Sequence, residues 1–160
     1  VPVYFPNSGL TGLLLAAYGA AGFGTGLSDS FQAWRDKPFY RRAKKTPVRK
    51  KRWFSEPLLA WVDADVHEEF SKTFTKYKGC VLPCCNDSGL RKHDRHYIWT
   101  ITRMAERVAS SDKPLALLRR RLDLAIRAWQ RLATISPKVV MPDHLAAWGS
   151  LLPKLAEDNF

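Results

Sequence analysis

No catalytic pattern runs through this chain. GxSxG, HExxH, Walker and kinase signatures are missing. No paired carboxylates, nucleophile with its base, or cofactor loop can be assembled from the 160 residues. An enzyme is therefore the first class set aside, and no cofactor is expected. Three cysteines allow at most one internal disulfide. Period-two strands, internal repeats and low-complexity tracts are missing too, which argues against β-rich and repetitive architectures. Acid is also scarce: 15 Asp and Glu stand against 26 Lys and Arg, a formal net charge of +11.

What is present is a chain of ordinary apolar content, 46% hydrophobic and 26% charged, neither disordered nor collagen-like in composition. Its basicity is local. Arg35 to Arg52 holds ten basic residues and one acid, Asp36, so nine of the eleven net positive charges fall in eighteen positions. Elsewhere the chain is close to neutral. A cationic stretch of this density, broken by Pro38 and Pro47, reads as an extended connector that meets phosphates. These belong either to lipid headgroups or to RNA. The residues that would do so are Arg41, Arg42, Lys44, Lys45, Arg49, Lys50, Lys51 and Arg52. Phe39, Tyr40, Trp53 and Phe54 stand among them and suit base stacking or a headgroup layer.

Directly before this stretch, Ser8 to Ser28 runs for 21 residues without a charge or a proline. A helix of that length spans about 30 Å, the thickness of a bilayer core. Tyr4 and Phe5 flank it on one side, Phe31 and Trp34 on the other, and the cations begin at Arg35. This layout predicts a single-pass transmembrane helix with a polybasic stop; the competing reading is a segment buried among protein neighbours. Gly12, Ala16, Gly19, Gly22 and Gly26 recur at steps of four, three, three and four, as one small-residue face for a partner helix.

Beyond Trp53 the spacing predicts a helical region. Ser55, Glu56 and Pro57 read as a helix start, followed by an apolar stripe of Leu58, Val62, Val66, Phe70, Phe74 and Tyr77. Gly79 to Gly89 reads as a loop. A further helix begins near Lys92 or Asp94, its stripe Tyr97, Ile98, Ile101, Met104, Ala105 and Val108. Ser111, Asp112 and Pro114 start another, striped by Leu115, Leu118, Leu122, Ile126, Trp129 and Leu132. A short helical tail covers Asp143 to Leu155.

Two constellations carry donor chemistry. His67 beside Glu68 and Glu69 lies on a charged helix face and reads as solvated. Cys80, Cys84 and Cys85, followed by His93 and His96, have the donor types zinc takes, but their CxxxC and HxxH gaps depart from a standard finger. Reduced cysteines in a packed loop are expected there; a bridge from Cys80 to Cys84 or Cys85, or a zinc held by Cys80, Cys84, His93 and His96, are the alternatives.

The N-terminal segment Pro2 to Leu27 resembles cytochrome c oxidase subunit VIIc, a single-pass subunit of the mitochondrial respiratory chain. The resemblance rests on Pro2-Val3, Asn7, Tyr18 and Phe23-Gly24-Thr25-Gly26-Leu27, with Val3 in place of the usual Phe and Gly26 in place of the usual Pro. It implies a helix that packs around a catalytic core without a redox centre of its own. It also implies an intermembrane-space location for the C-terminal region, whereas the positive-inside rule sends the cations to the matrix. Val1, not Met, is compatible with removal of a targeting presequence.

Taken together, the sequence predicts an all-α protein. Residues 1–34 form a transmembrane helix with its flanks, 35–54 a basic connector, and 55–160 a small region of three or four amphipathic helices. The expected role is a non-catalytic accessory subunit of a mitochondrial inner-membrane respiratory complex, most simply cytochrome c oxidase. Its partners would be neighbouring membrane subunits and anionic lipid headgroups. The alternative is a mitochondrial ribosomal protein that binds rRNA through the basic stretch.

Overall fold

A computed structural model describes residues 2–5, 8–25, 52–74, 93–136 and 139–157. Its first helix, α1, covers only Thr11–Ala17. Among the described residues, no helix is long and apolar enough to cross a membrane. The expectation of a transmembrane helix over Ser8 to Ser28, and with it a single-pass inner-membrane location, is therefore corrected.

The reason is local. Gly19 adopts a left-handed φ of 93°, the conformation that ends helices and costs glycine nothing. Its N–H donates to the Ala16 carbonyl at 3.1 Å, and the N–H of Ala20 reaches back to Leu15 at 2.9 Å. This pair of bonds closes the last turn as a Schellman motif. The chain then returns as β2 (Gly22–Phe23), parallel to β1 (Tyr4–Phe5). The apolar side of α1 goes into the protein's own core: Leu13, Leu14 and Ala17 are buried with residues from every later helix.

The small residues of this segment serve the chain itself. A Cβ on Gly12 would run into the ring of Phe23, so the glycine admits that ring against the backbone of α1. Gly12→Ala should cost up to about 2 kcal/mol, because overpacking of about 1–3 kcal/mol works against a gain in helix propensity of about 1 kcal/mol. Urea unfolding checks this. In a Phe23→Ala background the same change should become neutral or stabilising.

The all-α expectation is corrected too: β1 and β2 form one two-stranded sheet, and at residues 52–63 the expected helix start is a β-hairpin. Strands β3 (Arg52–Ser55) and β4 (Ala60–Asp63) pair antiparallel, with Arg52 opposite Asp63 and Ser55 opposite Ala60. Leu59, with a positive φ of 49°, turns the chain between them. The helix expected from Leu58 shrinks to α2 (Ala64–Thr73).

The remaining helices fall where their periodicity places them: α3 (His93–Ala109), α4 (Pro114–Ile135) and α5 (Asp143–Glu157). Pro114 occupies the first turn of α4, where its missing N–H costs nothing. Tyr97, Ile101, Met104 and Val108 from α3 meet Leu118, Leu122, Trp129 and Leu132 from α4 in one core. Leu145, Trp148 and Leu152 of α5 close it.

Candidate functional site

The small-residue face does not exist as one face. Gly12 and Ala16 lie in α1, Gly19 is exposed in the turn that ends it, and Gly22 sits in β2 against Tyr4. Gly26 lies outside the described residues. Of the phosphate-binding candidates, Arg41, Arg42, Lys44, Lys45, Arg49, Lys50 and Lys51 also lie outside them. Arg52 is described: it opens β3, and its Nε donates to Asp63 Oδ1 at 3.1 Å across the hairpin. The cationic stretch is thus tied at its C-terminal end to a paired strand.

Two of the aromatics assigned to phosphate or headgroup chemistry have other work. Phe54 is fully buried, edge-on to Tyr97 with ring centroids 5.0 Å apart. Trp53 stacks on His96 at 4.1 Å. Phe39 and Tyr40 lie outside the described residues.

His96, a candidate zinc ligand, is buried, and its Nε2–H donates to the Phe54 carbonyl at 2.8 Å. A carbonyl only accepts, so the proton is on Nε2. That nitrogen holds α3 to β3 and is not offered to a metal. His93 opens α3, and Cys80, Cys84 and Cys85 lie outside the described residues. Among the described residues, no cluster of His, Cys, Asp and Glu is suited to a metal ion. His67 is half-buried, its ring 5.8 Å from Trp53, where a solvated face was expected.

The turn between β3 and β4 concentrates polar contacts that sequence spacing does not reveal. Leu58 and Leu59 are buried, and their carbonyls accept from Trp129 Nε1–H at 2.9 Å and His144 Nε2–H at 2.9 Å. Glu56 Oε1 accepts from Arg121 at 2.7 Å and from Arg107 at 3.2 Å. One carboxylate thereby joins the hairpin to α3 and α4.

Burial holds both His67 and His144 below their ordinary value of 6.5. At His144 the Leu59 carbonyl and Asp143 pull upward, but burial dominates. Both imidazoles are thus kept neutral by the fold, while in the unfolded chain they titrate near 6.5. Stability should hold above that pH and fall as pH drops below it, because the unfolded state then binds more protons. Urea midpoints should be lower near pH ~5.5 than near ~7.5. His67→Gln and His144→Gln together should flatten that dependence.

Among the described residues, hollows of note open at the surface in two places. One, of about 560 Å³, lies between α2 and α4, with Phe70, Phe74, Leu117 and Leu124 along it and Glu56, Arg120 and Arg121 at its edge. The other, about 390 Å³, lies between the α1–β2 segment and α3, lined by Ala16, Gly22, Phe23, Ile101, Ala105 and Glu106. Neither brings together a nucleophile and a base. Comparison with protein-family models, with curated proteins and with solved structures gives no match.

Proposed function

We propose that this protein is a non-catalytic, RNA-binding structural component of a ribonucleoprotein, of the kind ribosomal RNA assembles. Arg35 to Arg52 would track the phosphate backbone while the helical body holds the stretch in place. One observation carries the reading. Nine net positive charges occupy eighteen positions, and the apolar run before them is spent on the core through Leu13, Leu14 and Ala17. With Leu13, Leu14 and Ala17 inside the protein, a membrane collar loses its purpose. Phosphate of a polyanion is then the ligand that calls for such charge density. Phe39 and Tyr40 are the aromatics of the stretch left to stack on bases.

The test is fluorescence anisotropy of the full chain with a labelled RNA hairpin between about 50 and 200 mM salt. Binding should weaken by about a thousandfold or more across that range if six or more phosphates are contacted. Weak binding at the lowest salt, or affinity indifferent to salt, would sink the proposal.

The second reading is an accessory subunit of a respiratory complex. With no span among the described residues, it would be a peripheral one, docked on protein neighbours. The open groove between α2 and α4 favours a protein contact of that kind.

A further inference from the structure

Helix α4 has two working faces. Leu118, Leu122, Ala125, Trp129 and Leu132 are turned to the core. At 100° per residue the opposite side carries Arg120, Leu124, Arg127 and Arg131, at steps of four, three and four. An outward face of a stable surface helix is normally polar throughout. Here Leu124 is 57% exposed, and it lines the 560 Å³ groove that opens toward α2. Its floor is hydrocarbon: Phe70 and Phe74, with ring centroids 4.7 Å apart, and Pro57, Leu117 and Ala128.

The rim is cationic. Among the described residues, Glu56 is the one acid lining the groove, and it already accepts from both Arg107 and Arg121. Two guanidiniums on one carboxylate leave that corner positive. Among the described residues, no carboxylate pairs with Arg120, Arg127 or Arg131. Asp123, the only acid of α4, stands three residues after Arg120 and four before Arg127, neighbouring positions on the helix, yet forms no ion pair with either.

We infer that the groove between α2 and α4 is a docking site for an acidic amphipathic helix of a partner protein. The apolar floor takes Leu- or Phe-type anchors at i, i+3, i+4 and i+7. The arginine row, from Arg120 to Arg131, runs about 16 Å, the length of three helical turns, and pairs with Asp or Glu along one edge of the incoming helix. Charge decides against two other occupants. A second copy of this chain docked through the same face would set one arginine row against the other and meet it with repulsion. RNA satisfies the arginines but leaves the hydrocarbon floor wet. This inference is independent of the RNA reading, because it uses no residue of Arg35 to Arg52.

The experiment titrates the full chain with labelled synthetic helical peptides of about four turns. One carries Leu anchors with a Glu edge, one the same anchors with a Lys edge, and one the Glu edge with Ser in place of Leu. The first should bind at least about tenfold more tightly than either control. Leu124→Asp is a surface change that leaves the core intact. It should weaken that peptide about tenfold or more, as should Arg120→Glu with Arg127→Glu, with circular dichroism and Tm unaltered. Equal binding of the Glu-edge and Lys-edge peptides, or indifference to Leu124→Asp, would overturn the inference. So would loss of RNA binding in the Arg120 and Arg127 variant with no change in peptide binding. That result would assign the row to phosphates.

Discussion

With Arg41, Arg42, Lys44, Lys45, Arg49, Lys50 and Lys51 replaced by glutamine, RNA affinity falls by about a thousandfold or more at low salt. Each Lys or Arg that neutralises a phosphate releases condensed counterions. On single strands, each neutralised phosphate adds about 0.7 to the slope of log affinity against log salt. Removing these cations should flatten that slope by about five. Circular dichroism and Tm of the variant check that the fold survives the change. Arg52 is deliberately spared, since its Nε pairs with Asp63 and ties the two strands at their outer end. An unchanged slope in the variant would remove this stretch as the RNA contact even if the parent protein binds RNA. A uniform loss of affinity across RNA sequences is expected, because backbone contacts position a protein and do not read bases.

Trp129→Ala produces the largest stability loss, about 3–5 kcal/mol. The indole is buried in α4, and its Nε1–H satisfies the carbonyl of Leu58, itself fully buried. Alanine would leave a cavity beneath the hairpin turn and orphan that carbonyl. Trp129→Phe separates the two effects: the ring still fills much of the space, and the lost donor costs about 1–3 kcal/mol. Urea unfolding followed by circular dichroism measures both. Domains of this size have only about 5–15 kcal/mol of net stability, so the alanine variant should be marginal. A loss below about 1 kcal/mol would mean that the turn is not braced by α4.

The helices α3, α4 and α5 were legible because their apolar residues repeat at the helical period and their starts carry ordinary signals, Pro114 above all. The hairpin was not. Its strands are four residues each, too short for alternation to outweigh the Ser55-Glu56-Pro57 start signal and the run from Leu58 to Phe74. Ala60 and Val62 are buried while Trp61 and Asp63 are half-buried. A helix reading assigns those same residues to different faces. The turn depends on Leu59 taking a positive φ, which a bulky side chain rarely adopts. Burial of Leu58 and Leu59, with Trp129 and His144 on their carbonyls, holds it there. Nothing near Leu59 in the chain announces partners 71 and 85 residues away.

The candidate sites divided in the same way. Charge density is a property of composition, so the basic stretch is visible without a fold. The groove between α2 and α4 is not. Phe70 and Phe74 belong to a stripe that reads as core, and only the packing leaves Phe74 half-buried and Leu124 open at an arginine edge. His96 is the reverse case. Its type suggested a ligand, and the neighbouring strand made it a clamp on Phe54.

By itself the sequence determined that the positive charge is concentrated between Arg35 and Arg52 and that three later segments are amphipathic helices. Both are local quantities, a count and a period. The destination of the uncharged run from Ser8 to Ser28 was not local. Apolar residues leave water equally well for lipid or for a protein interior. Gly19 ends the helix at Ala17, and the packing of Leu13 and Leu14 into the core built by α3 and α4 made the choice.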